Sequence, residues 1–132
     1  MPVTVNEVQV VLFIVTDPEK SEHFYGKVLG LEKVFQDRDR LIYAIGHTRL
    51  MLHPVHSEFR SSDNRLGWGV ALYLEVDDVD SAIRELRAVV PIHEEPEDKS
   101  WGERVGAILD PDGYHIYLTH SLEGTWKRRS SA

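Results

Sequence analysis

The stretch Val8-Gln9-Val10-Val11-Leu12-Phe13-Ile14-Val15-Thr16-Asp17-Pro18-Glu19 runs from a strand directly into a helix. Val8 to Val15 is almost entirely apolar and rich in β-branched residues, which suit a pleated, buried surface. Asp17 supplies an N-cap oxygen, Pro18 fits the first helical position, and Glu19 places negative charge at the positive end of the helix dipole. Phe24, Tyr25, Val28 and Leu29 then recur at helical spacing. Gly30 is placed to end the helix in a left-handed conformation. Three short strand-like runs follow, Leu31 to Phe35, Leu41 to Ile45 and Arg49 to His53, separated by Asp37-Arg38-Asp39-Arg40 and Gly46-His47-Thr48.

Working outward, the same order returns. Val70 to Val76 reads as a strand, and Asp78 caps a helix with the stripe Val79, Ala82, Ile83, Leu86 and Val90. Further strands are expected near Ile92, at Arg104 to Leu109 and at His115 to His120. Asp110-Pro111-Asp112-Gly113 is a turn in which Pro fixes φ and Gly accepts positive φ. The halves align at an offset of 61, which sets Asp17 on Asp78, Val15 on Val76, Ser21 on Ala82 and Val28 on Val89. The chain is therefore an internal repeat of a strand–helix–strand–strand–strand unit. Its expected class is α+β: two βαβββ repeats forming a curved mixed sheet around a ligand cavity. The first module covers residues 5–54, a connecting loop 55–67, the second module 68–121 and a tail 122–132.

Composition narrows the function. One domain of 132 residues can bury its own core. Lys plus Arg total 15 and Asp plus Glu 22, a formal charge of −7, with seven His uncounted. That balance argues against nucleic acid as partner and favours a small polar or cationic ligand. With no Cys there is no disulfide, thiolate nucleophile or Cys-ligated metal, and a reducing cytoplasm is the simplest home. The longest apolar run, Val10 to Val15, is far short of the ~20 residues of a membrane span. Met1-Pro2-Val3-Thr4 has no basic lead into an apolar segment, so no signal peptide is expected. Lys127-Arg128-Arg129 reads as a solvated terminus. No Ser-His-Asp triad follows from spacing, and Gly67-Trp68-Gly69 lacks the strand-then-helix context of a phosphate loop.

The βαβββ repeat, the segment Phe24-Tyr25…Val28-Leu29-Gly30-Leu31-Glu32, the pair Trp101-Gly102 and the turn Asp110-Pro111-Asp112-Gly113 together resemble the vicinal oxygen chelate superfamily. Glyoxalases, fosfomycin and bleomycin resistance proteins and extradiol dioxygenases belong to it. The resemblance spans roughly residues 5 to 121 and is specific for the fold, whereas the scaffold hosts several chemistries. It implies metal ligands, usually His or Glu, at four positions, which here hold Val10, Met51, Ala71 and Tyr117. Val and Ala have no donor atom, Met is a soft ligand and Tyr a rare one. The expectation is no catalytic metal at the family site and no cofactor. A site shifted by two residues, using His53 and His115 with an acid such as Glu75, is the alternative.

Alternation along strands sorts the ligand candidates. Val70, Leu72, Leu74 and Val76 share one face and Ala71, Tyr73 and Glu75 the other. Ile116 and Leu118 oppose His115, Tyr117 and Thr119, while Leu50 and Leu52 oppose Arg49, Met51 and His53. The mixed polar-aromatic face suits a ligand better than a dry core. The ligand-binding candidates are Met51, His53, Trp68, Tyr73, Glu75, Trp101, Arg104, His115 and Tyr117, and no catalytic residue is assigned. Tyr73, Tyr117, Trp68 and Trp101 can stack on a planar ligand. Glu75 is a cation anchor or a base, and Arg104 either anchors an anion or pairs with an acid across the sheet. His56 and His23 are expected in solvent. The resemblance points to a homodimer that sequesters a planar ligand, such as an antibiotic. The other reading is a lyase, isomerase or dioxygenase with a relocated metal or metal-free acid–base chemistry.

Overall fold

The structure, a computed structural model, describes residues 3–54 and 69–122. They fall into two units, Met1–Leu66 and Gly67–Ala132.

In the N-terminal unit, β1 (Val10–Val15) leads to α1 (Pro18–Glu22), a π-helical segment (His23–Val28), β2 (Glu32–Asp37), β3 (Arg40–Ile45) and β4 (Thr48–Pro54). The strands make an open sheet in the order β1-β4-β3-β2, with β1 parallel to β4 and the rest antiparallel. Asp17 caps the helix as expected, its Oδ1 accepting from the Glu19 and Lys20 amides at 3.1 and 3.3 Å. Gly30, at φ 72°, lies in the left-handed region that follows the helix.

The helix departs from expectation at His23, where it widens into a π-helical turn. The Leu29 amide donates to the Phe24 carbonyl at 2.9 Å, and the Leu31 amide to the Tyr25 carbonyl at 3.0 Å. Successive α-helical residues point about 100° apart, and the wider turn narrows that angle. Two adjacent aromatics, Phe24 and Tyr25, can then both be buried, at 3% and 0% exposure. They join Phe13, Val15, Leu41, Tyr43, Leu50 and Leu52 in one core. The division of β4 into Leu50 and Leu52 against Arg49, Met51 and His53 is the one alternation requires.

The C-terminal unit repeats the plan: β5 (Ala71–Glu75), α2 (Val79–Leu86), β6 (Ile92–Asp98), β7 (Glu103–Leu109) and β8 (His115–Ser121), in the order β5-β8-β7-β6. β5 runs parallel to β8 and the others are antiparallel. Asp78 caps α2 through the Ser81 amide and hydroxyl, both at 3.1 Å. Val79, Ile83 and Leu86 are buried with Leu74, Ile108, Ile116 and Leu118. Gly106 lies directly under α2: a Cβ there would stand 2.9 Å from Ile83 Cγ1. In the 110–113 turn, Asp110 Oδ1 accepts from the Asp112 and Tyr114 amides at 2.8 and 2.9 Å, and Gly113 has φ 89°.

β6 extends well past the strand expected near Ile92. Its Pro96 and its run of acids hide it in the sequence, but it is an edge strand with bulged register, where Pro is tolerated. Among the described residues no helix is long and apolar enough to cross a membrane. The connecting loop at 55–67, with His56, and the basic residues 127–129 lie outside the described residues.

Exposed ion pairs decorate the C-terminal unit. Arg104 bridges Asp80 on α2 at 2.7 Å and Asp98 on β6 at 2.9 Å, and Arg87 pairs with Glu95. Arg104 holds the Asp80 carboxyl below its usual value, Arg87 does the same for Glu95 and Lys99 for Glu97, and the Ser81 amide and hydroxyl hold Asp78 down. Groups depressed in the folded state stabilise it above their unfolded values and lose that contribution as pH falls through their folded values. These carboxylates should therefore leave urea midpoints level down to about pH 5 and lower them below it. Asp80→Asn should flatten part of that acid limb; an unchanged limb would show that the bridge contributes nothing.

Candidate functional site

The face of the C-terminal sheet turned away from α2 carries a continuous aromatic strip. Register sets Tyr73 of β5 beside Tyr117 of β8, and Ala71 beside His115. The Tyr73 and Tyr117 rings stack with centroids 4.6 Å apart and planes at 14°. His115 meets Tyr117 edge-on at 6.2 Å, and His93 of β6 lies 4.5 Å from His115 at 30°. Offset stacking and edge contact are the arrangements that ring quadrupoles favour. Tyr73 is 53% exposed, so the strip presents aromatic surface rather than hiding it.

Acids surround the strip. Glu75 lies two residues beyond Tyr73 on the same face, beside Thr119. The bulge in β6 turns both Glu94 and Glu97 to this face, opposite Ala107 and Val105. Lys99 spans them with its Nζ at 2.8 and 2.7 Å, and the Glu94 and then Glu97 contacts push its ammonium up. Glu103 is almost wholly buried, and its Oε1 accepts the Trp101 indole N–H at 2.9 Å. That bond fixes one edge of the half-exposed Trp101 ring. Four glutamates thus stand against one lysine among the described residues of this face. The Tyr73 phenol is pushed up by loss of water first, then by Tyr117, Glu103 and Glu94, with Lys99 opposing. It keeps its proton and can donate a hydrogen bond.

The candidates named from sequence separate. Tyr73, Tyr117, His115 and Glu75 share this face, and Trp101 is tied to it through Glu103. Arg104 turns the other way, toward α2, and its guanidinium is held by Asp80 and Asp98. It takes the acid-pairing role, because its position on β7 alternates with those of Glu103 and Val105. Trp68 lies outside the described residues. His93, Glu94 and Glu103 were not among the residues the sequence pointed to: Pro96 and a run of acids mask the length of β6, and a strand-initial Glu carries no sign of burial.

In the N-terminal unit, Met51 lies on the face away from the helix, in a row with Leu12, Ile42 and Phe35. That row is apolar, with Leu12 and Phe35 exposed. His53 is buried and both ring nitrogens are engaged. Nε2 accepts from Arg40 Nη2 at 3.1 Å and Nδ1 donates to the Pro54 carbonyl at 3.0 Å, since arginine only donates and a carbonyl only accepts. His53 therefore has no free lone pair for a metal.

The four positions at which the resemblance expects metal ligands do not fit one. Val10 and Ala71 present hydrocarbon, Met51 sits in the apolar row, and Tyr117 is stacked on Tyr73. Among the described residues no three His, Asp or Glu side chains converge as a metal site.

The sequence profile of the Glyoxalase/Bleomycin resistance protein/Dioxygenase superfamily matches residues 7–118. No curated protein matches the sequence. Among solved structures, a member of that superfamily from Sphaerobacter thermophilus DSM 20745 is 26% identical, with a TM-score of 0.74 over 89% of this chain and 98% of its own. A glyoxalase/bleomycin resistance protein/dioxygenase from Nocardioides is 20% identical, with a TM-score of 0.74 over 93% and 88% of the two chains. Lactoylglutathione lyase from Agrobacterium tumefaciens is 21% identical, with a TM-score of 0.70 over 89% and 95%. At such identities the last two show the fold alone.

Proposed function

Since the chain belongs to the glyoxalase/bleomycin resistance protein/dioxygenase superfamily, we propose that it is a small-molecule-binding member that holds a planar, cationic ligand without a catalytic metal. The observation that carries this reading is the Tyr73 ring, stacked on Tyr117, half open to solvent and near several glutamates. A flat π-system gains by stacking on an exposed phenol ring, and its positive charge gains from the ring face and from the Glu75 carboxylate on the same face. The side chains at the family's metal positions support the same conclusion, because Val10 and Ala71 have no donor atom and Met51 and Tyr117 are not the His or carboxylate that divalent cations usually take. An antibiotic fits this chemical description, and sequestration is then the biological role. A cytoplasmic homodimer is the expected form, to be checked by light scattering.

Titration calorimetry with bleomycin and with ethidium, a planar cation, tests the proposal. Saturable binding is expected, and Tyr73→Ala should weaken it about tenfold through loss of stacking and cation–π contact. Glu75→Gln should weaken it less, and more at low salt than at high. No binding of either compound, or affinity unchanged by Tyr73→Ala, would overturn the reading. Turnover of a methylglyoxal–glutathione adduct would replace it with an enzyme.

A further inference from the structure

The bulge in β6 has its extra residue at His93. Ile92 pairs with Ile108 and Glu94 with Ala107, so His93 stands between two consecutive partners on β7. Bulges re-aim side chains, and here two successive residues, His93 and Glu94, turn to one face instead of alternating. The His93 ring meets that of His115 on β8, with centres 4.5 Å apart and planes at 30°. β7 lies between the two strands. Backbones two strands apart are separated by roughly 9–10 Å, so the two side chains lean toward each other across β7. His93 is exposed and His115 half-buried, so solvent reaches the pair. Neither ring makes a hydrogen bond among the described residues. In its neutral form each therefore keeps a nitrogen lone pair for a ligand.

The spacing suits one ion shared by both rings. A metal held by an imidazole nitrogen at about 2.0–2.1 Å stands roughly 3.2 Å from the ring centre. Two such rings at right angles about an ion have centres about 4.5 Å apart, and at the tetrahedral angle about 5.2 Å. The His93–His115 separation matches the right angle. The Cβ–Cγ bond of histidine points nearly at its ring centre, and χ2 turns easily. Either ring can thus redirect its nitrogens while its centre stays in place. Charge favours a cation as well. The unit Gly67–Ala132 carries 13 Asp and Glu against 7 Lys and Arg, and such a field raises the local concentration of cations.

We propose that His93 and His115 chelate one late first-row divalent cation, copper(II) in preference to nickel(II) or zinc(II), with water in its remaining positions. Imidazole nitrogen, a right-angled bite and the general order of divalent affinities all favour copper(II). Neither histidine stands at the four positions Val10, Met51, Ala71 and Tyr117. The site uses imidazole nitrogens alone, and it stands whether or not the aromatic strip takes a planar cation.

Calorimetric titration of the whole chain, without a histidine tag, with copper(II), nickel(II) and zinc(II) tests the proposal. Free glycine serves as competitor for weak sites. One equivalent of copper(II) should bind, more tightly than the other two ions. His93→Ala and His115→Ala should each weaken it roughly a hundredfold, the advantage that a second tethered ligand supplies. Amide NMR of the unmutated chain gives a readout that does not depend on how the variants fold. Paramagnetic broadening by substoichiometric copper(II) should centre on residues 93 and 115. Absence of saturable binding would overturn the proposal. So would wild-type affinity in a folded His93→Ala variant, or broadening centred on His23, His47 or His120.

Discussion

Gly106→Ala is expected to destabilise the C-terminal unit by about 1–3 kcal/mol, a large effect for one methyl group. The added Cβ would lie 2.9 Å from Ile83 Cγ1, 3.0 Å from Ile83 Cδ1 and 3.4 Å from Val79 Cγ1. Real Cβ contacts do not come so close, so α2 must move or Ile83 must leave its rotamer. Both responses act against a packed core in which Ile83 is 1% exposed. Ile83→Ala alone leaves a cavity and should cost about 2–5 kcal/mol. In the double variant the new methyl occupies part of that cavity. The two losses should then fall short of their sum by roughly 0.5–3 kcal/mol. Urea unfolding of the four proteins measures the coupling, and strict additivity would show that α2 does not rest on β7 at this point.

The second large effect concerns neighbours one residue apart. Leu52→Ala should remove about 2–5 kcal/mol from the N-terminal unit, because its side chain is wholly buried with Phe13, Leu41 and Leu50. Met51→Ala, on the opposite face and only half-buried, should change stability by roughly 1 kcal/mol or less. The contrast isolates the direction of the pleat from hydrophobicity, since the two side chains are similarly apolar. Equal losses would mean that β4 is covered alike on both faces.

These contrasts follow from the parts of the fold that one sequence makes legible. Asp17 and Asp78 announce their helices because an N-cap oxygen has a local job that does not depend on the rest of the chain. Leu50, Leu52, Ile116 and Leu118 announce their faces because alternation in a strand is a property of the backbone. The π-helical turn was not legible: Phe24-Tyr25 fits α spacing, and only the need to bury both rings against one sheet widens the helix. Nor was the length of β6, whose burial pattern is dominated by exposed acids at a sheet edge. The candidate site divides along the same line. Alternation places Tyr73, Tyr117 and His115 together, whereas Arg104 depends on which face its strand presents to α2. Glu103 is defined by what surrounds it in three dimensions, and no local pattern marks it.

The parallel pairing of each unit's first strand with its last also bears on biosynthesis. Val10 bonds beside Arg49, and Ala71 beside His115. A chain emerging from the ribosome can close its hairpins as it goes, but the leading strand must wait, unpaired along both edges, until the fourth has appeared. During that interval Phe13 and Val15, buried in the finished fold, are bare hydrocarbon on a nascent polypeptide, the kind of segment that chaperones shield. Speed of translation through residues 40–54 thus governs how long the newborn protein is vulnerable to sticking.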